Sequence, residues 1–455
     1  MNKKVMALAV AGVLTAPAAF AQSSNVQLYG RAVLGIDSYG AEGSVNGATD
    51  YQNRLRVFDN SSRVGLRGTE DLGNGLKAIF QIETGVAIDS GSTQGSGGVG
   101  NASKGTWASR DSFVGLDSGF GRLTFGRQSI YWANGELAQF SANYINTEIP
   151  WTNGTMMGRI SRATGGAGPV ARQSNTVQYT TPTFAGFNAT LSYSPNAQES
   201  VQHNSCVAAT NTTLNPASVA GTQNAQVSGL TTLTSSNVTT TGTSCAVGTG
   251  SDADGQIWGA TIRGRFANFH GQFDYVKNEN NSGISGVTPA TLAPINTAPQ
   301  AEFTGYKAGI GWKYMPGANV SFIWVRSESN NALGVTRGVE VTQNGYTVNW
   351  EHTFGNVQVL AQYGWTDSMK GCTGAITATN LSCGDTKASA YMLGARYLLS
   401  KRTWVFASYN LIDNQQNQFA DFTGDAYTSV AGNGPVLTPY GADPEVWALG
   451  IFHAF

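Results

Sequence analysis

Charge is scarce in this chain. Only 12% of its 455 residues are charged, against about 25% in a typical soluble domain. Lys and Arg total 27 and Asp and Glu total 28, so the basic excess of a nucleic-acid-binding protein is lacking. The 13 prolines and the absence of a three-residue glycine period exclude a collagen-like structure. The composition therefore disfavours an ordinary charge-coated soluble enzyme and indicates no nucleic-acid partner.

Long apolar runs are lacking as well. Beyond residue 21, no stretch approaches the length of about 18 apolar residues that indicates a membrane-spanning helix. At the amino terminus, Lys3 and Lys4 precede a short apolar run, which ends in Ala19-Phe20-Ala21. A basic start, an apolar centre and an A-x-A site are typical of a secretory signal peptide. We expect residues 1–21 to be removed on export, the alternative being a retained anchor helix.

Cysteine is rare, and its placement suggests loop disulfides. Cys206 and Cys245 lie in one polar segment, and Cys372 and Cys383 lie in another. Four cysteines allow three connectivities, and pairing within each segment is the simplest of them. No C-x-x-C motif or neighbouring histidine pair indicates a metal. Disulfides are consistent with an oxidising compartment.

What the chain does contain is alternation of apolar and polar residues. In residues 75–83, Leu76, Phe80 and Ile82 alternate with Gln81 and Glu83, which predicts a strand with one apolar face. We count sixteen such segments in 22–455. Their spans are 26–37, 54–69, 75–84, 108–117, 121–128, 172–181, 186–194, 256–266, 269–277, 304–314, 319–327, 342–354, 356–366, 387–398, 402–411 and 445–455.

The connections between these segments alternate between short and long. Short turns at one end and long loops at the other are typical of an outer-membrane β-barrel. The alternative, a soluble β-sandwich, would require a charged exterior. The predicted fold is all-β: a 16-stranded antiparallel transmembrane β-barrel with short periplasmic turns and long external loops. It forms one domain, residues 22–455, with a polar surface loop at about 195–255.

Several segments resemble a known family. They are Val26-Gln-Leu-Tyr-Gly30, the hairpin 61–83, residues 109–116 and 119–128, and Gly450-Ile-Phe-His-Ala-Phe455. They resemble the general, trimeric, 16-stranded porins of Gram-negative bacteria of the burkholderia, bordetella and neisseria type. The resemblance implies an outer-membrane channel through which small hydrophilic solutes and ions diffuse passively. It also implies a homotrimer surrounded by lipid and lipopolysaccharide, and a final Phe455 that signals to the barrel-assembly machinery.

The resemblance also assigns a role to the loop at about 129–171, the third external loop. In such porins this loop folds into the barrel and narrows it. Glu136 and Glu148 lie on the loop, and we expect them, with Glu83 on the wall, to oppose a basic wall as constriction carboxylates.

Alternation predicts which arginines make that wall. Val64 and Leu66 are expected to face lipid, which places their neighbours in the lumen. Continuing the alternation along the other strands gives the predicted basic pore lining: Arg31, Arg54, Arg56, Arg63, Arg67 and Arg172. Strict alternation places Arg110 outside, but the resemblance places it in the lumen, and a β-bulge would reconcile the two.

The excess of arginine predicts a weak anion preference, since rings of charge select ions by sign. For each arginine a role outside ion selection stays open: an ion pair with a wall carboxylate, or contact with lipopolysaccharide phosphates. We expect no catalytic site, cofactor or metal. The rival functions are a substrate-specific channel, a surface adhesin or recognition barrel using the long loops, and a lipase-type enzyme using outward-facing His352 or His453.

Overall fold

The computed structural model describes residues 25–45, 47, 50–60, 62–89, 107–130, 172–195, 256–280, 301–330, 340–372, 383–422 and 440–455. Within these residues, seventeen β-strands form a single antiparallel sheet. The strands are β1 Asn25–Glu42, β2 Tyr51–Asp59, β3 Arg63–Gly73, β4 Leu76–Gly85, β5 Ser112–Ser118, β6 Gly121–Ser129, β7 Arg172–Thr180, β8 Phe187–Ser194, β9 Gln256–Phe266, β10 Phe269–Asn280, β11 Ala301–Met315, β12 Ala318–Asn330, β13 Glu340–Phe354, β14 Val357–Thr366, β15 Ala388–Leu398, β16 Thr403–Asn414 and β17 Asp443–Ala454. The predicted signal peptide, residues 1–21, lies outside the described residues.

The sheet is a closed barrel of sixteen strands, as predicted. β2 pairs with residues 34–41 of β1, and β3 pairs with residues 25–31 of β1. β2 and β3 are therefore two halves of one barrel strand, which the sequence placed at 54–69. On its other edge β1 pairs with β17 over twelve residue pairs, and every other strand pairs with its neighbours in the chain. Closure leaves no free edge on the wall.

The connections between the described strands alternate as expected. Asn74 and Gly75, which join β3 to β4, both have positive φ, as a two-residue hairpin of the I′ type requires. Similarly short turns join β5 to β6, β9 to β10, β11 to β12 and β13 to β14. No helix in the described part of the chain is long and apolar enough to cross a membrane.

One predicted disulfide lies among the described residues. Cys372 and Cys383 are bonded, with 5.4 Å between their Cα atoms. They lie within the connection between β14 and β15, and Met369 and Val341 pack nearby. Cys206 and Cys245 lie outside the described residues.

The barrel seam, where β1 meets β17, depends on glycine. Gly35 and Gly450 are paired across the seam, and the rings of Phe58 and Phe406 lie over them on the inner face. A β-carbon on Gly35 would stand 2.7 Å from the Cα of Gly450 and closer still to the carbonyl oxygen of Leu449. Both contacts are with backbone atoms, so the seam cannot yield by rotating a side chain.

We expect Gly35→Ala to destabilise the folded barrel by about 1–3 kcal/mol, the usual cost of overpacking. The matched control is Gly271→Ala, because a β-carbon there meets only one carbonyl oxygen, at 3.4 Å. The heat-induced mobility shift of the folded protein in electrophoresis measures the difference. Equal denaturation temperatures for the two variants would contradict this account of the seam.

Candidate functional site

The two faces of the barrel differ in chemistry. On β4 and β5 the side chains of Ile82 and Val114 are 39% and 61% exposed, whereas that of Glu83 is 5% exposed. Exposed apolar residues recur at alternate positions on nearly every strand. A closed barrel with this pattern presents the apolar face to lipid and the polar face to the interior. Glu83 marks the inner face.

Glu83 lies at the centre of a group of charges. Its Oε1 accepts a hydrogen bond from Nε of Arg110 at 2.5 Å, and its Oε2 lies 3.7 Å from Nε of Arg63. The hydroxyl of Tyr29 donates to Oε2 at 3.0 Å. Three elements, β1, β3 and the approach to β5, thus converge on one carboxylate.

Asp111 extends this group to β6 and β7. Its Oδ2 accepts from Nε of Arg172 at 2.7 Å, and its Oδ1 accepts from the amide of Ser129 at 2.6 Å. We call Arg63, Arg110 and Arg172, with Glu83 and Asp111, the basic cluster. Three guanidinium groups against two carboxylates leave it one positive charge in excess.

The two cluster residues that precede β5 have shifted pKa values. Burial, together with the positive charges of Arg172 and Arg63, lowers the pKa of Arg110 to about 10. Burial acts to raise the pKa of Asp111, but Arg172 and the hydrogen bond from Ser129 outweigh it and leave this pKa below its usual value. Both groups are therefore charged at neutral pH.

A register shift explains how Arg110 reaches the cluster. Gln81 of β4 pairs with Phe113 of β5, yet the amide of Arg110 donates to the carbonyl of Glu83. One extra residue therefore lies on the β5 side between these two pairings. The extra residue reverses the alternation, so Arg110 lies on the same face as Glu83 rather than on the lipid face.

A second shift corrects the reasoning for Arg54 and Arg56. Continuing a single alternation from Val64 and Leu66 would put these two arginines outside, not inside. The pairing of β1 with β2 and β3 includes one extra residue between Asp59 and Arg63. The alternation of inward-facing and outward-facing residues therefore reverses there, and the arginines of both halves of the strand lie on the inner face.

Arg56 and Arg54 contact residues of β1. Nε and Nη2 of Arg56 donate to the two oxygens of Asp37 at 2.8 and 3.0 Å. The guanidinium of Arg54 lies 6.0 Å from the ring centre of Tyr39. Asp37 is fully buried, so Arg56 takes part in the wall as one half of an ion pair.

Arg31 and Arg67 lie against aromatic rings. The guanidinium of Arg31 is 5.9 Å from the ring centre of Phe452, and that of Arg67 is 5.0 Å from the ring centre of Tyr29. Nε of Arg67 also donates to Gln27 at 2.8 Å. A cation on an aromatic face is held in place without losing its charge.

The placement of Glu83 differs from the expectation. We expected it to oppose the basic wall across the lumen, but it contacts Arg63 and Arg110 directly and lies within that wall. The reason is cross-strand register. Tyr29, Gly65 and Glu83 lie in one row across β1, β3 and β4, and Arg63 is the next residue of β3 on the same face, two positions from Gly65. Glu136 and Glu148 lie outside the described residues.

Sequence reasoning missed the partner carboxylates of the wall. Asp37 lies an even number of residues after Arg31 on β1 and therefore on the same face of the strand, a signal that could have identified it. Asp111 gave no such signal, because a register shift lies beside it. Asp274 and Lys307 were also missed: they form a fully buried pair with 3.3 Å between Nζ and Oδ2 on the inner face of β10 and β11.

The inner wall of β9 contacts the start of the loop at 129–171. Ile130 is 1% exposed, and its Cβ lies 3.7 Å from the point where a β-carbon on Gly259 would stand. Gly259 shares the inner face of β9 with buried Ile257. The chain leaving β6 therefore begins this loop against the inside of the barrel.

In the described strands, the outward-facing histidines contact a tyrosine and a threonine. Nδ1 of His352 lies 2.8 Å from the hydroxyl of Tyr314, and Nδ1 of His453 lies 2.9 Å from Oγ1 of Thr403. Among the described residues, no group of three or more His, Cys, Asp and Glu side chains could hold a metal ion.

Phe455 lies at the barrel seam. Its backbone and that of Gly30 exchange two hydrogen bonds of 3.1 Å, and its ring lies over Gly30 on the outer face. The terminal phenylalanine thereby extends the pairing of β17 with β1. Its part in assembly stays a prediction.

Comparison with known proteins assigns the family. The chain is 32% identical over 196 residues to a major outer membrane protein P.IB of Neisseria gonorrhoeae, which covers 43% of this chain and 49% of that protein. The chain thus matches about half the length of this curated relative.

Solved structures share the fold over nearly the whole chain. An anion-selective porin from Comamonas acidovorans superimposes with a TM-score of 0.63 at 18% identity, covering 95% of this chain and 100% of that one. The trimer form of OmpT of Vibrio cholerae superimposes with a TM-score of 0.55 at 12% identity, covering 95% and 100%.

The profile of one family spans most of the sequence. Residues 7–417 match the family described as Gram-negative porin. The closed sixteen-stranded barrel, with its apolar outer face and charged inner face, agrees with that match, as do the relative and the solved structures. The chain belongs to the Gram-negative porin family, the barrel proteins of the bacterial outer membrane.

Proposed function

We propose that this porin forms a water-filled channel for the passive, non-catalytic diffusion of small hydrophilic solutes and ions, with a weak preference for anions. The observation that carries the proposal is the basic cluster, which puts three arginines and two carboxylates on the inner wall. A sixteen-stranded barrel is wide enough for an aqueous channel. Charge on its inner wall then selects by sign.

The ion pairs explain why the preference is weak. Four of the predicted pore arginines, Arg56, Arg63, Arg110 and Arg172, form ion pairs with wall carboxylates. Paired charges produce a smaller field in the lumen than isolated ones. Arg31, Arg54 and Arg67, which lie on aromatic faces, add to the positive potential.

We include in this proposal that the loop at about 129–171 folds inward and narrows the channel. Two contacts support an inward course: the amide of Ser129 donates to Asp111 of the basic cluster, and Ile130 packs inside the wall of β9. Glu136 and Glu148 would then face the basic wall from the loop. The long polar loop at about 195–255 is the proposed external surface.

A homotrimer is part of the same proposal. The large apolar side chains exposed on the described strands β1–β5 are aliphatic, with no tyrosine or tryptophan among them. Strands β9–β17, by contrast, expose Trp258, Trp312, Tyr363, Tyr391, Tyr397, Tyr409 and Trp447. Since aromatic girdles mark the lipid interface of such barrels, the aliphatic sector is suited to contact other subunits. The trimer form of the Vibrio cholerae protein is consistent with a homotrimer.

The remaining outer face is proposed to contact membrane lipid and lipopolysaccharide, and Phe455 to engage the assembly machinery.

A substrate-specific channel is less well supported. An aromatic group does face inward on β2, β16 and β17, but Phe58, Trp404, Phe406 and Phe452 are all at least nine-tenths buried. Their faces pack on one another, with 3.7 Å between the ring centres of Trp404 and Phe452, and offer no stacking surface to a solute.

Replacing Arg63 and Arg110 by Ser should shift the reversal potential under a KCl gradient towards the potassium equilibrium potential. A unit charge about 8 Å from an ion in water contributes about 0.5 kcal/mol. Losing two such charges lowers the anion-to-cation permeability ratio at least about fivefold, since an anion loses about 1 kcal/mol of attraction and a cation loses repulsion. Planar-bilayer recording measures the reversal potential, from which the permeability ratio follows.

Arg326→Ser is the matched control, since Arg326 pairs with Glu328 on the outer face of β12. An equal shift from the control would contradict the assignment of selectivity to the basic cluster. No conductance from folded parent protein would contradict the channel itself.

Glu83→Gln should act in the opposite direction. Removing this carboxylate leaves Arg63 and Arg110 less neutralised and strengthens the anion preference about twofold by the same Coulomb estimate. Glu340→Gln on the outer face of β13 is the control. A shift towards cations after Glu83→Gln would show that the carboxylate acts mainly by holding the arginines in place.

Val114→Trp should reduce the trimer fraction in detergent, because a large ring on exposed β5 cannot fit a close subunit contact. Ile310→Trp is the control on β11, where Trp312 is already exposed on the same face. Sedimentation of the detergent-solubilised protein measures the oligomeric state. Equal trimer fractions would move the proposed interface away from β5.

A further inference from the structure

Three register shifts surround the basic cluster. Arg31 of β1 pairs with Arg63 of β3, and Leu34 of β1 pairs with Asp59 of β2. Between these two pairs β1 advances by three residues but the opposite strand by four. Between Gln81 and Glu83 the β4 side advances two and the β5 side three. Between pairs 126–176 and 128–173 the β6 side advances two and the β7 side three. Each interval thus contains one extra residue, on β2–β3, on β5 and on β7.

The three extra residues share a position in the fold. Each lies on a strand that enters the barrel from a long connection, and each lies beside an arginine of the basic cluster. Arg63 follows the first, and Arg110 and Arg172 precede the second and third. β-Bulges are known to re-aim side chains in this way. For Arg110 the consequence is explicit, because unbroken alternation from Val114 would place it on the lipid face. At the first shift, Arg63 faces inward by the alternation of β3 itself, and the extra residue brings Arg54 and Arg56 onto the same face.

Serine hydroxyls replace the ladder hydrogen bonds that the first two shifts remove. Oγ of Ser62 accepts from the amide of Val33 at 2.9 Å, and Oγ of Ser112 accepts from the amide of Glu83 at 3.1 Å. Ser62 is fully buried and Ser112 is 8% exposed. Asp59 secures the first shift further, its Oδ1 accepting from the amide of Ser62 at 3.1 Å.

We propose that Ser62 and Ser112 are positioning residues that set the ion selectivity of this channel. Neither is charged, and neither need touch a permeating ion. Their hydroxyls accept from the amides of Val33 and Glu83 at the two shifts. They thereby hold the extra residues that keep Arg110 on the channel face and keep Arg54 and Arg56 on the same face as Arg63. This inference rests on the proposed channel function, but it predicts a change relative to the parent channel rather than a particular sign of selectivity.

The test is reversal-potential measurement on Ser62→Ala and Ser112→Ala in planar bilayers. Each variant keeps every charge of the wall, yet it should lower the anion-to-cation permeability ratio at least about twofold, because the arginine beside it loses its fixed position. Ser62→Thr and Ser112→Thr retain the hydroxyl and should restore the parent value. Ser408→Ala is the control: it lies on the inner face of β16 in unbroken register and should have no effect.

A double-variant comparison separates positioning from general loosening. If Ser112 acts through Arg110, Ser112→Ala should cause little further shift in an Arg110→Ser background. If an alanine variant yields no folded barrel, the glycine variant of the same site, which suits an irregular backbone, takes its place.

Folded variants with the parent reversal potential would overturn the inference, as would a full additional shift in the Arg110→Ser background. Failure of the proposed function has a different signature, since the parent protein would then show no conductance at all. A cation-preferring parent would revise the proposed sign but leave the relative shift testable.

Discussion

The structure depends on one constraint: in a membrane every backbone amide and carbonyl must find a partner within the protein. The sheet meets it by closing, β1 pairing with β17 on one edge and with β2 and β3 on the other. Closure gives the sheet two faces with different surroundings. Since side chains alternate between them, one chain can present apolar side chains to lipid and arginines to the interior.

The same constraint makes departures from regular pairing informative. An amide that loses its ladder partner inside the wall must find a side-chain acceptor, and serine supplies it at Val33 and at Glu83. Such departures occur beside the basic cluster. Three of the register shifts in the described strands thus lie beside its charges, and the others lie at Tyr39–Ala41, Asp71–Gly73 and Trp312–Met315.

Much of the fold could be predicted from the sequence, because alternation depends only on neighbouring residues. The strands at 75–84, 121–128 and 256–266, the outward position of Val114 and the disulfide between Cys372 and Cys383 all follow from local pattern. Contacts between strands could not be predicted, since they depend on register. Glu83 was therefore placed opposite the arginines that it contacts. Asp111 was missed because the register shift beside it breaks the alternation of inward-facing and outward-facing residues.

The seam between Gly30 and Phe455 has a consequence for biogenesis. Its two hydrogen bonds join residues 425 positions apart, so the contact that completes the wall is also among the longest-range contacts in the described part of the chain. Loop closure over such a distance is entropically costly and slow. A chain that stops short of β17 leaves two open strand edges, and such edges pair with other chains. The last strand thus decides between a sealed barrel and a sheet with two open, aggregation-prone edges.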